Sequence, residues 1–153
     1  MLINSTHDVI LNVIIKQKRE EITISEFDKI EYWIEIAEYD LETAKAMLKS
    51  KRYLYVGFMC NQVIEKILKA YFVKVNKAQP PYTHKLIRLA EECNLYKTMS
   101  EQQRNFIFEI TPLNIEARYP TLKDEIGKVL NKQNCKKIIK ETEEMVQWIK
   151  SKL

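Results

Sequence analysis

Two glycines in 153 residues constrain this chain more than any other feature of its sequence. Glycine supplies the positive-φ turns and close backbone approaches of tight hairpins and phosphate-binding loops. Gly57 and Gly127 stand far apart, so neither a P-loop nor a dinucleotide-binding GxGxxG can be written here. The same scarcity argues against a many-turned β-sandwich or barrel. What remains is an all-α protein with few sharp corners. Its length suits one domain, or one domain with a short extension, burying roughly two-thirds of its unfolded surface.

The longest apolar run, Val9 to Ile15, is interrupted by Asn12 and falls far short of the roughly 20 residues that span a bilayer. No basic segment precedes that run and no small-residue cleavage site follows it, so it does not read as a signal peptide. Cys60, Cys93 and Cys135 are widely spaced and form no CxxC. An odd count without a framework implies reduced thiols in a cytoplasmic protein and no zinc site. With only His7 and His84, a histidine-rich metal centre is excluded as well. No metal and no cofactor is expected, and no membrane partner.

Ser5-x-x-Asp8 is able to cap a helix running to about Glu20, although the β-branched residues within it suit a strand equally. Residues 1–25 are assigned to a helical N-terminal extension, and 26–153 to the main domain. From Ser25 onward, Ile30, Ile34, Ala37, Leu41, Ala44 and Leu48 recur four and three apart without a miss. That spacing predicts an amphipathic helix of about 24 residues with Ser25 as its N-cap. A second helix is predicted from Tyr53 to Asn76. Val56, Cys60, Val63, Ile64, Ile67, Ala70 and Tyr71 form its wide apolar face, and Phe58, Met59 and Val73 lie opposite. A helix apolar on both sides belongs in the middle of a bundle or in a subunit interface. Trp33, Tyr53 and Phe72 are assigned to the core, and Gly57 marks a place where a neighbour approaches that crowded helix.

Gln79-Pro80-Pro81 ends the second helix. A short helix is expected from about Thr83 to Asn94, and the capping pattern Ser100-x-x-Gln103 opens another. Pro112 kinks or breaks it, and the stretch resumes to Tyr119, where Pro120 stops it. A last helix is predicted from Lys132 to Lys152. Short links between long helices favour antiparallel neighbours, hence an up-and-down bundle of four to five helices.

Charge is unevenly spread. Residues 26–50 carry 7 acids and 3 bases, whereas 51–90 carry 8 bases and 1 acid. A basic middle segment suits a phosphate-rich partner. The simpler reading is ion pairing between long helices, because no aromatic–basic interleaving marks a stacking platform for nucleic acid.

Gln62, Glu65, Lys66 and Lys69 fall within about 100° of arc on the second helix, on the side shared with Phe58, Met59 and Val73. Polar groups so flanked are expected to be partly buried and hydrogen-bonded. The alternative is a solvent-exposed i,i+4 Glu65–Lys69 pair. Asp40 and Glu65 are candidates for a buried carboxylate pair, though no spacing shows that they meet.

The run Ala37-x-x-Asp40-Leu41-x-x-Ala44-x-x-x-Leu48 resembles the first helix of the HEPN domain family. Tyr53 through Gln62-x-x-Glu65-Lys66-x-x-Lys69-Ala70 is similar to its second. His84-Lys85-Leu86-x-x-Leu89 and Glu116-Ala117-Arg118-Tyr119-Pro120 resemble its later motifs, and the four occur in the family's order. The resemblance implies a helical bundle that pairs as a homodimer. Such domains are often encoded beside a small nucleotidyltransferase, the two acting as a toxin–antitoxin module, and other members bind nucleotides or cut RNA.

The family's ribonucleases carry Arg followed after four to six residues by His. That chemistry needs a cation for the phosphate and an imidazole to move the proton of the attacking 2′-hydroxyl. No histidine follows residue 84, so Arg88, Arg104 and Arg118 cannot complete the pattern. The leading expectation is therefore a non-catalytic binding module. Its ligand-binding candidates are Gln62, Glu65, Lys66, Lys69 and Arg118, and its partners a nucleotidyltransferase or a nucleotide or RNA phosphate. The competing expectation is a metal-independent ribonuclease with a non-standard site built from Arg118, Tyr119 and His84. A third is a structural adaptor. Arg118 has an alternative as a clamp on backbone carbonyls before the last helix, and His84 as a helix-start cap or packing residue.

Overall fold

The computed structural model describes residues 6–20, 25–114 and 120–153. Among them the chain is helical with no strand, as an all-α bundle requires. The α-helices are α1 (Thr6–Glu20), α2 (Glu26–Lys49), α3 (Tyr53–Asn76), α4 (Leu86–Glu92), α5 (Glu101–Ile110), α6 (Pro120–Val129) and α7 (Lys132–Lys150). Short 3-10 turns at Tyr96–Thr98 and Thr111–Asn114 precede and follow α5.

Local chemistry sets most of these boundaries. Ser25 and Ser100 each accept a backbone N–H from the third helical residue, and Asp28 and Gln103 bond back to the cap N–H, so both capping boxes close. Asn131 caps α7 in the same way through the Asn134 N–H. The short helix begins at Leu86, not near Thr83, which leaves His84 in the preceding loop. The expected stretch up to Tyr119 lies outside the described residues; Pro120 itself is the first residue of α6, where its fixed φ suits the helix and its missing N–H leaves no intrahelical bond unmade. With α6 counted, the bundle has more helices than the four to five expected.

Helix α3 runs through the centre. Val56, Cys60, Val63, Ile64, Ile67, Leu68 and Ala70 are fully buried. It packs antiparallel to α2, whose Ala37 and Ala44 are small enough for close approach, and against Cys135, Met145, Val146 and Ile149 of α7. Trp33, Tyr53 and Phe72 are half-buried against this core. At Gly57, an added Cβ would lie 2.9 Å from Leu113 Cδ1 and 3.2 Å from Leu130 Cδ1, so this glycine does mark a close approach. Neither glycine has positive φ; the left-handed corners are made by Lys51, Lys77 and Asn94 (φ 58°, 54° and 58°). Acids of α2 meet bases of the same fold, Glu38 with Lys150 and Glu26 with Lys77, while Lys45 of α2 meets Glu143 of α7.

Candidate functional site

The polar strip of α3 is not a solvent-exposed surface pair. Glu65 is 1% exposed, and Lys69, one turn on, is 8% exposed. Lys69 Nζ donates to Glu65 Oε1 at 2.7 Å and sits 5.2 Å from the centre of the Trp33 ring on α2. An ammonium in so dry a place is held by an anion on one side and the negative face of an indole on the other. The loop before α4 then brings His84, 19 residues away in sequence, so that its Nδ1 lies 2.9 Å from Glu65 Oε2. The same loop is steadied by the Thr83 hydroxyl, which accepts the Lys85 N–H at 3.2 Å. His84 is thus neither a helix cap nor a packing residue: its side chain is 70% exposed and only its inner edge is engaged.

The network continues along α3. Lys66 Nζ lies 3.6 Å from Glu65 Oε1 and donates to Gln62 Oε1 at 2.7 Å. Gln62 Nε2 donates in turn to Oδ1 of buried Asn114, at 2.9 Å. Asn114 ends the turn immediately before the Glu116–Pro120 segment. Asn61, fully buried beside Gln62, donates to the Ile110 carbonyl at 2.9 Å and so satisfies an acceptor left open at the end of α5.

Burial alone would push the Glu65 carboxyl up. Hydrogen bonds from Lys69 and His84, with the charges of Lys66 and Lys69, outweigh it and hold the group below the usual carboxylate range. Asp40 of α2 behaves in the opposite way: burial raises it, Lys66 draws it back and Glu65 adds to the rise. The charge of Glu65 is thus felt at Asp40, and Lys66 acts on both carboxylates. An ionised Glu65 only accepts hydrogen bonds, so the proton of a neutral His84 sits on Nδ1, and Nε2 carries its lone pair toward solvent. Such an imidazole is oriented to take a proton or, once charged, to donate to an anion.

The structure thus brings together Gln62, Glu65, Lys66, Lys69 and His84. Arg118 and Tyr119 lie outside the described residues. Two other arginines are engaged elsewhere: Arg88 Nε donates to Glu92 at 2.6 Å, while Arg104 stacks on Tyr96 and bonds the Tyr96 and Lys97 carbonyls. Sequence reasoning missed Trp33 as a cation seat and Asn114 as the link toward the Arg118 segment. Trp33 stands two turns from Asp40 on one flank of α2, a spacing that could have pointed to it. Two open clefts, of about 500 Å³ between α5 and α7 and about 540 Å³ between α2 and α7, include none of these side chains.

A family model described as the HEPN domain matches residues 30–152, which span every helix of this arrangement from α2 to α7. The chain belongs to the HEPN domain family. Its HEPN bundle is similar to a crystal structure of TT1696 from Thermus thermophilus, with a TM-score of 0.70 at 18% identity, covering 82% of this chain and 98% of that one. At that identity the likeness is one of fold. No curated protein matches the chain. Among the described residues of this HEPN protein no helix is long and apolar enough to cross a membrane.

Proposed function

We propose that this HEPN protein is a binding module without nuclease chemistry of its own, one that acts as a cytoplasmic homodimer alongside a nucleotidyltransferase partner. On this reading it takes a phosphate, from a nucleotide or from RNA, at the His84 end of the α3 strip. The observation that carries the reading is the buried Glu65 carboxylate, which fixes the exposed His84 ring beside Lys66 and Lys69. Buried ion pairs contribute little net stability, so a fold has small energetic reason to keep one whose outer member faces solvent. Glu65 and Asp40 offset the two lysines, which leaves a charged His84 and Arg118 to supply the net attraction for a phosphate.

Calorimetric titration of the purified protein with ATP, AMP and a short single-stranded RNA at low salt tests this. Binding that weakens in His84→Ala and Lys66→Met, both still folded, is expected, with affinity falling as salt rises. No binding of any of the three at low salt would overturn the phosphate reading and favour a structural adaptor. Co-expression and pull-down with an adjacent nucleotidyltransferase reading frame tests the pairing separately.

One observation favours a second reading. A carboxylate on Nδ1 is what a general base needs; on this reading His84 would accept the proton of an attacking 2′-hydroxyl through Nε2 and Arg118 would steady the phosphate. This ribonuclease reading expects RNA cleavage in EDTA that disappears in both His84→Ala and Arg118→Ala. Cleavage that survives either change would remove it.

A further inference from the structure

The loop between α3 and α4 presents Tyr82 in a way that no packing role accounts for. Its side chain is 105% exposed, whereas the next most exposed large hydrophobic side chain among the described residues, Tyr39, stands at 75%. The backbone beneath it is pinned. Pro80 and Pro81 restrict two consecutive φ angles, and Pro80 and Thr83 are buried. The Thr83 N–H donates to the Pro81 carbonyl at 2.8 Å, which closes a tight turn centred on Tyr82. The Thr83 hydroxyl then holds the Lys85 N–H, and Leu86 anchors the far side in the core. An aromatic ring that covers nothing is thus set at the tip of a turn whose backbone needs no further ordering to bind a ligand.

The same turn carries His84. Buried Thr83 separates two outward residues, so Tyr82 and His84 leave the loop on the same side. Two residues of chain keep their Cα atoms no more than about 7 Å apart. Glu65 holds His84 through Nδ1, so an oriented imidazole and an uncovered aromatic ring stand side by side.

We infer that Tyr82 is the stacking surface for the base of a nucleoside phosphate whose phosphate lies at His84. The ligand class is then a nucleotide, or an RNA strand with an unpaired base, and not a bare phosphate or a duplex. The inference rests on the phosphate reading of the His84 site. Every base has a π-face to offer an aromatic ring, so such stacking is tolerant of base identity. Bases inside a duplex are covered by their neighbours, whereas those of loops, ends and single strands can be splayed onto a protein ring. One ring serves one base, in keeping with a chain whose aromatic and basic residues do not interleave.

Calorimetric titration of the full chain at low salt with AMP and with ribose 5-phosphate, which keeps the sugar and phosphate but lacks the base, tests this. AMP is expected to bind about ten-fold more tightly. Tyr82→Ala removes no internal contact, so its melting temperature should be unchanged. It should bring AMP down to the affinity of ribose 5-phosphate and leave ribose 5-phosphate where it was. Tyr82→Trp should restore the preference, and its added indole fluorescence should be quenched by AMP but not by ribose 5-phosphate. A short single-stranded RNA and its blunt duplex distinguish the sources of the base. A Tyr82-dependent preference for the single strand, with no binding of AMP, assigns the base to RNA rather than to a free nucleotide. Equal binding of AMP and ribose 5-phosphate together with equal binding of the two RNAs, or a preference that survives Tyr82→Ala, would overturn the stacking role and leave the phosphate reading standing. No binding of any of these probes would overturn the phosphate reading itself, and the stacking role with it.

Discussion

Replacing Glu65 by Gln removes one charge and almost no volume, and it is the sharpest probe of the α3 strip. The carboxylate receives Lys69 at 2.7 Å and His84 at 2.9 Å, both charge-assisted when His84 is protonated. The amide oxygen of Gln can keep one of those donors. The second donor is lost, and the buried Lys69 ammonium is left with the Trp33 ring and no anion in contact. Breaking one side of a buried pair costs about 3–5 kcal/mol. The Lys69 side chain is 10% exposed and so retains a little solvent, which lowers the expectation to about 2–4 kcal/mol. For a chain of this length that is a melting point lower by about 5–12 °C.

Urea unfolding followed by helical circular dichroism at pH 7 measures the cost. The companion variants are Lys69→Met and the double replacement, in which Gln faces an apolar neighbour. The double variant should be less destabilised than the sum of the singles by about 1.5–3 kcal/mol, since the unpaired charge has gone. Coupling below about 0.5 kcal/mol would refute the claim that the pair is dry and mutually dependent. The pH profile gives an independent check. The unfolded Glu65 titrates at about 4.3, and the folded one lower. Between those values the unfolded chain binds more protons, so stability rises with pH there. The contribution is complete above the ordinary range and is lost as pH falls toward the folded value. Glu65→Gln, with no proton to bind, should show a flatter curve below about pH 5. Asp40, raised by burial, acts with the opposite sign and is present in every variant.

The glycines stand where the backbone does not need them, and the left-handed corners lack them. Gly127→Ala meets no atom within 4 Å on α6, and Lys51→Gly relieves a residue at φ 58°. Each should raise stability by about 0.5–1 kcal/mol in urea unfolding. Gly57→Leu drives a side chain into Leu113 and Leu130 and should cost about 1–3 kcal/mol or more in the same assay. Burial pushes the Cys60 thiol up to about 12 and Cys135 up to about 11, and raises Cys93 as well. A disulfide-exchange reagent at pH 8 should therefore label no thiol in the native protein and three in urea.

The helices whose apolar residues repeat over several turns were legible in advance, because a strict four–three spacing serves only one backbone period. Ser25, Ser100 and the Tyr53–Asn76 span follow from that spacing and from capping chemistry. Pro120 shows where such reasoning stops. Proline both ends one helix and begins another, and only the chain after it, with Ile126 and Leu130 turned to the core, decides which. The site divides in the same manner. Gln62, Glu65, Lys66 and Lys69 share one helix and could be grouped by angle alone. That His84 and Trp33 join them depends on a loop and on a second helix, and no local spacing encodes either.

Sequence alone determined the helical class of this protein, its order of elements and its membership of a family by motif order. Those properties depend on short-range periodicity and on which residue types the chain lacks. Tertiary structure decided the charge state and partners of the α3 strip. Whether Glu65 and Lys69 form a weak surface pair or a buried one depends on how much water reaches them, and water is excluded by Trp33 and the packing of α2, far away along the chain. It also decided what the two glycines do: one admits Leu113 and Leu130 to a crowded helix, and the other occupies an open surface where any small residue would serve.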